Sequence, residues 1–260
     1  MEYKIAIKTD VGIKKETNQD SCCVKEARTD RGTILLAVIC DGMGGLSKGE
    51  VASATLINRF SEWFEKELPE MLAKEDFFEE IKYRWKRIIK EQNTRIAAYG
   101  KMLHIQLGST ISAILILEDG RYLIGHVGDS RIYEITDERI SRLTEDQTLV
   151  AKEVKEGKLT AEEAENDPRR SVLLQCVGAS RIVEPTIYEG EILGNACYML
   201  CSDGFRHVIT AEEIREKLTP KKNENEMEME SHLAELVDLN MFRHETDNIT
   251  ALLIKTEQEV

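Results

Sequence analysis

Five aspartates of this chain share one context: each lies where an apolar run meets a turn. The run Ile34–Cys40 ends on Asp41, and Gly42, Met43, Gly44 and Gly45 follow. Leu200 and Cys201 lead through Ser202 to Asp203 and Gly204, and Val127 leads through Gly128 to Asp129. Asp20 follows Asn18-Gln19 and opens a strand, and Asp247 opens the last one at Asn248-Ile249-Thr250. Glycine after such an aspartate lets main chain approach an ion closely. A hard cation takes carboxylate and carbonyl oxygens as ligands. One such aspartate serves equally well as turn chemistry. Five of them at strand ends can converge on one rim, and carboxylates that converge raise each other's pKa unless a cation sits among them. Oxygen-only ligands point to magnesium or manganese rather than zinc.

The elements that must position these aspartates follow from periodicity. Tyr3–Thr9, Ser21–Ala27 and Ile34–Cys40 read as strands. Ala52, Leu56, Phe60, Trp63 and Phe64 fall at helical spacing, as do Phe78, Ile81, Trp85, Ile88, Ile96 and Tyr99. The spacing predicts two long helices, broken near Leu68-Pro69, with aromatic stripes that pack on a sheet. Thr110–Leu117 and Tyr122–Val127 form a hairpin about Asp119-Gly120, and Arg131–Ile135 and Arg139–Leu143 continue the meander. Residues 145–170 are highly charged and read as a surface excursion. Ile182–Tyr188 and Ala196–Cys201 are strands again. Thr210 with Glu213 marks a helix start. Pro220–Glu230 reads as a mobile polar connection, followed by a helix over Met229–Asn240 and a strand over Ile249–Lys255. Segregated strands and helices give an α+β class, with two stacked sheets and helices outside.

Composition bounds the rest. The 260 residues carry four prolines and no Pro/Ser/Gly-rich linker, which favours one domain over residues 1–260. A net charge of −13 argues against a nucleic-acid partner. The first residues lack a charged-then-apolar leader, and no apolar run is long enough for a membrane span. The six cysteines lack zinc spacing. These features lead us to expect a cytoplasmic protein with reduced thiols.

Taken in order, the motifs Asp10-Val11-Gly12, Asn18-Gln19-Asp20, Asp41–Gly45, Gly49-Glu50, Gly108-Ser109-Thr110, Gly128–Arg131, Leu143–Asp146, Ser202–Gly204 and Asp247–Thr250 resemble one family. It is the metal-dependent serine/threonine protein phosphatases, type 2C, in their compact bacterial form. The resemblance spans about residues 3–255. It implies a four-layer αββα sandwich, two central antiparallel sheets flanked by helix pairs. It implies two manganese or magnesium ions, with Asp41 bridging them and Asp203 and Asp247 completing the first site. The Gly42 carbonyl would join Asp41 at the second, and Asp20 would hold a water there. Asp129, with Asp203, would bind a weaker third ion. Residues 147–170 would be a flap beside the site. The implied chemistry is direct attack on phosphoserine or phosphothreonine by a hydroxide held between two cations. Catalysis then falls to Asp41, Asp203 and Asp247. Phosphorylated proteins would be the substrates, a serine/threonine kinase the cognate partner, and the monomer the working unit.

The chain departs from the family at three places. Lys15, beside Lys14, stands where relatives carry the phosphate-binding arginine, and a lysine lacks the planar two-point grip of a guanidinium. Met43 and Gln147 stand where many relatives have histidine. His104, His126, His207, His232 and His244 lie outside the matched motifs and are expected to be structural or exposed. Three rival readings remain, one of them a phosphatase for small molecules. Cys22 and Arg28 have the spacing of a cysteine-dependent phosphatase, but the five residues between them contain no glycine to cradle phosphate. A catalytically weak member could instead act as a phosphoprotein-binding regulatory module.

Overall fold

The computed structural model describes residues 2–30, 32–44 and 48–257; Gly45 of the glycine turn lies outside them. The chain runs β1 (Glu2–Asp10), β2 (Asp20–Thr29), β3 (Gly32–Gly44), α1 (Gly49–Lys66), α2 (Leu68–Leu72) and α3 (Phe77–Leu103). Strands β4 (Leu107–Ser109), β5 (Ile111–Ile116), β6 (Arg121–Val127), β7 (Arg131–Ile135) and β8 (Ile140–Arg142) follow. Then come α4 (Leu149–Lys155), α5 (Ala161–Asn166), β9 (Thr186–Glu191), β10 (Cys197–Cys201), α6 (Ala211–Leu218), α7 (Glu226–Phe242) and β11 (Ile249–Glu257).

The strands form two antiparallel sheets. One has the order β1-β11-β10-β7-β8; the other has β2-β3-β5-β6-β9, with β4 added beside β3. The unbroken apolar run of β3 is explained by its place between layers. Ile34, Leu36, Val38 and Cys40 face a core shared with Phe60, Trp63 and Trp85 of α1 and α3. Leu35, Ala37 and Ile39 face Ile132, Tyr198, Leu200, Leu252 and Ile254 of the other sheet. Strands β10 and β11 repeat the device: Met199 and Leu253 pack on Leu233, Leu236 and Val237 of α7. A strand buried on both faces has no polar alternation. Helix, sheet, sheet, helix is the four-layer order expected from the resemblance.

Local chemistry accounts for the element boundaries. Pro69 sits in the first turn of short α2, where its missing N–H costs nothing, and so divides α1 from α3. Trp85 receives Phe60 and Trp63 edge-on, with ring centroids 5.2 and 5.4 Å away. Thr210 and Glu213 make the expected reciprocal cap at the start of α6. Residues 220–230 differ from expectation. A turn of 3-10 helix covers Pro220–Lys222, and α7 begins at Glu226, capped by the Asn225 side chain. Asn223 is buried there and donates to the carbonyls of Lys217 and Thr219. Polar residues that satisfy main-chain groups leave no apolar period to read. The strand expected over 182–188 is shifted to Thr186–Glu191. Residues Cys22 to Arg28 lie along β2. An extended strand supplies no cradle of N–H groups for phosphate.

Candidate active site

Asp41 ends the buried part of β3, and its main chain is clamped. Its N–H donates to Thr110 Oγ1 and its carbonyl accepts from Thr110 N, both at 2.9 Å. Gly42 is required by space: a Cβ there would lie 2.3 Å from the Gly49 carbonyl oxygen and 2.5 Å from that of Gln19. The strand end can therefore press against the start of α1 and against the turn before β2. Asp20 is the register partner of Asp41 across β2 and β3.

Asn248 carries the first sheet's contribution across to the second. Its Oδ1 accepts from Gln19 N at 2.9 Å, and its Nδ2 donates to the carbonyls of Val11 and Thr17. The loop holding Lys15 is thereby folded over the start of β11. Asp129 sits on the β6–β7 turn behind Gly128, whose φ of +111° suits glycine. Asp203 begins a 3-10 turn directly after β10.

These five carboxyl groups share one electrostatic field. As residues, Asp20 and Asp41 reach solvent in part, but protein atoms surround their carboxyl groups. Burial drives Asp41 far above the usual carboxylate range, and Asp20, Asp203, Asp129 and Asp247 each push the same way. Burial raises Asp20 to about 7, against the pull of nearby hydroxyls; the charges of Asp203 and Asp247 add to the rise. Burial and the Asp203 charge raise Asp129 to about 7 as well. Asp203 goes the other way: burial would raise it, but the contact and charge of His207 and the charge of Arg206 hold it well below its ordinary value. Asp20 Oδ2 and Asp203 Oδ1 are buried without a hydrogen-bond partner.

Cationic side chains already touch this field. Lys15 Nζ lies 2.8 Å from Asp247 Oδ1. Its pKa is raised: burial pulls it down, but the bond to Asp247 and the charges of Asp247, Asp41 and Asp203 prevail. Arg206 Nη2 donates to the Asp129 carbonyl at 2.9 Å and lies 3.8 Å from carboxylate oxygens of Asp129 and Asp146. His207 Nε2 is 3.2 Å from Asp203 Oδ2. Burial opposes the charge on His207, but Asp203 and Glu245 lift it to about 9. Among the described residues, no three His, Cys, Asp or Glu side chains are already gathered as a metal cage. The donor set still fits a hard divalent ion: it is all oxygen, two of its buried oxygens lack partners, and the other four aspartates all act against the charge on Asp41.

The sequence-derived residues thus come together: Asp20, Asp41, Gly42, Asp129, Asp203 and Asp247, with Lys15 against Asp247. His207, expected to be structural or exposed, has a largely buried side chain against Asp203. Arg206 and Glu245 carried no expectation at all. The available signal was spacing: His207 is four residues beyond Asp203, and Glu245 two before Asp247. His126 is structural, buried between Ser112 Oγ and the Glu145 carbonyl.

The charged excursion folds beside this rim as α4 and α5. Gln147 ties it to the Asp129 turn: its N–H donates to the Gly128 carbonyl and its Oε1 accepts from Gly128 N. Arg131 grips both oxygens of Asp146 at 2.8 and 2.6 Å. Between the excursion and the start of α6 lies a cleft of about 530 Å³, with Arg206 and His207 on its wall and Arg142, Lys155 and Arg170 among its lining.

The family model for protein phosphatase 2C matches residues 13–248. The chain belongs to the protein phosphatase 2C family. A relative in that family, protein phosphatase PhpP of Streptococcus pneumoniae, is 30% identical over 259 residues, covering 98% of each chain. The crystal structure of serine/threonine phosphatase Stp1 from Staphylococcus aureus is similar with a TM-score of 0.86, at 26% identity, over 99% of this chain and 96% of that one. The catalytic domain of serine threonine protein phosphatase PstP, solved in complex with two manganese ions, is similar with a TM-score of 0.78. That match is at 27% identity over 98% of this chain and 99% of that one. The protein phosphatase 2C sandwich accounts for the sheet order, and its rim is where the five aspartates meet.

Proposed function

We propose that this protein is a metal-dependent serine/threonine protein phosphatase that hydrolyses phosphoserine and phosphothreonine monoesters on proteins. The observation that carries the reading is the field at Asp41, to which four aspartates from four other segments contribute. Manganese or magnesium is the cofactor class, in keeping with the two manganese ions of the similar PstP domain. Two such ions lower the pKa of water between them and offset charge as the ester is cleaved.

The chain's own residues do the holding. Asp41, Asp203, Asp247 and the Gly42 carbonyl would hold the two cations. Asp20 would hold a water at the second cation, and Asp129 with Asp203 would hold a weaker third ion. Lys15, now paired with Asp247, would be the phosphate clamp, its ammonium meeting the substrate dianion once Asp247 is engaged elsewhere. We read residues 1–260 as one catalytic domain, with 147–170 as a flap, acting as a monomer opposite a serine/threonine kinase. Among the described residues no helix is long and apolar enough to cross a membrane; we place the protein in the cytoplasm.

The test is hydrolysis of a small aryl phosphate and of a phosphothreonine peptide, with manganese and with chelator. Turnover is expected only with the metal, and Asp41→Asn and Asp203→Asn should abolish it in folded protein. Turnover that persists in chelator would overturn the assignment.

A further inference from the structure

Two of the loops that carry candidate ligands are joined by a short buried bridge. His207 Nε2 lies 3.2 Å from Asp203 Oδ2, and its Nδ1 lies 3.5 Å from Glu245 Oε2. Glu245 is only 5% exposed. Its other oxygen, Oε1, accepts from the main-chain N–H groups of Thr246 at 2.7 Å and Asp247 at 2.9 Å. Its own N–H donates to the Asn240 carbonyl at the end of α7. The bridge therefore runs from Asp203, through one imidazole and one carboxylate, into the backbone of Asp247. With a carboxylate oxygen against each ring nitrogen, both nitrogens face acceptors.

A carboxylate has two oxygens on one rotatable bond. Fixing one of them aims the other, and in Asp203 the aimed oxygen, Oδ1, is the buried one without a partner. We infer that His207 and Glu245 are positioning residues: together they set the rotation of Asp203 and the backbone of Asp247 before a cation arrives. The inference rests on the reading that Asp203 and Asp247 hold metal. It does not follow from that reading, because the same contacts could brace the fold and leave cation binding untouched.

Manganese affinity of the folded protein separates the two roles. Groups that orient a ligand from behind are worth about 10- to 100-fold in metal affinity. His207→Ala is expected to weaken manganese binding, measured by titration calorimetry, by about 10-fold or more. His207→Gln keeps a donor toward Asp203 and should bind within about threefold of the unaltered protein. Glu245→Ala should weaken binding in the same direction as His207→Ala. Should His207→Ala fail to fold, His207→Phe keeps the ring volume, removes both nitrogens and carries the same expectation. The KM for an aryl phosphate at saturating manganese should change little. If folded His207→Ala or His207→Phe binds manganese as tightly as the unaltered protein, or more tightly, the bridge is a brace and the inference falls. Asp203→Asn tells that failure from a deeper one. If it too binds manganese normally, Asp203 is not a ligand, and both readings fall together.

Discussion

At the scale of single residues, Lys15 is the most exposed member of the site and the one whose role changes with occupancy. It pairs with Asp247 at 2.8 Å, so it occupies a carboxylate that the proposed cation would need. Lys15→Ala should therefore lower the manganese concentration for half-activation. The same change removes a charged contact to phosphate, worth about 1.5–3 kcal/mol. We expect KM for a phosphopeptide to rise about 10-fold or more, with kcat less affected; steady-state kinetics at saturating manganese would show the split. Loss of kcat alone would assign Lys15 elsewhere. Asp41→Asn and Asp203→Asn each remove charge where it is hardest to replace, and should lower kcat about 10²–10³-fold or more. The aspartates were legible because each one follows or opens an apolar strand beside turn residues. Lys15 was legible as a position, but its partner was not, since the loop that carries it is placed by Asn248 from the far end of the sequence. Arg206 and Glu245 were not legible: Arg206 meets Asp129 and Asp146, and Glu245 meets His207, only once segments far apart in the chain are side by side.

At the scale of elements, β3 sets the tolerance. Its end is wedged where a single methyl group has no space. Gly42→Ala would place Cβ among the carbonyls of Gly49 and Gln19. Overpacking of this kind costs about 1–3 kcal/mol. Thermal unfolding should register that loss, and manganese affinity should fall with it because the carbonyl of residue 42 moves. Trp85 anchors the opposite face against Phe60 and Trp63. Trp85→Ala should cost about 3–5 kcal/mol in denaturant unfolding, with manganese affinity retained in whatever remains folded. Strands with one long apolar run, and helices with aromatic stripes, announced themselves in the sequence. The start of α7 did not, because Asn223 and Asn225 do their work by capping and main-chain bonds that look like loop composition.

At the scale of the molecule, the clustered carboxyls make stability depend on pH in a way set by metal. Asp20 and Asp129 have ordinary values of 3.8 and are raised to about 7 in the fold. The folded state thus binds more protons than the unfolded state between those values, so stability falls as pH rises from about 4 to about 7. Asp146 is shifted the other way, to about 2, against desolvation, by its bonds to Arg131 and nearby arginine charges. Its contribution is complete above 3.8 and is lost only as pH falls toward 2, so it does not vary between pH 5 and 8. Metal-free protein should melt at a higher temperature at pH 5 than at pH 8. Manganese at pH 8 should raise the melting temperature by mass action and narrow or reverse the gap. A metal-free melting temperature that climbs from pH 5 to pH 8 would contradict the charge cluster.

The pairing of β11 between β1 and β10 has a consequence for biogenesis. Residues 249–257 fill the gap beside a strand made more than two hundred residues earlier, and Asp247 arrives with them. A polypeptide still being synthesised therefore has one sheet split and one proposed ligand missing. Dephosphorylating power should switch on abruptly, only when the final strand slots home.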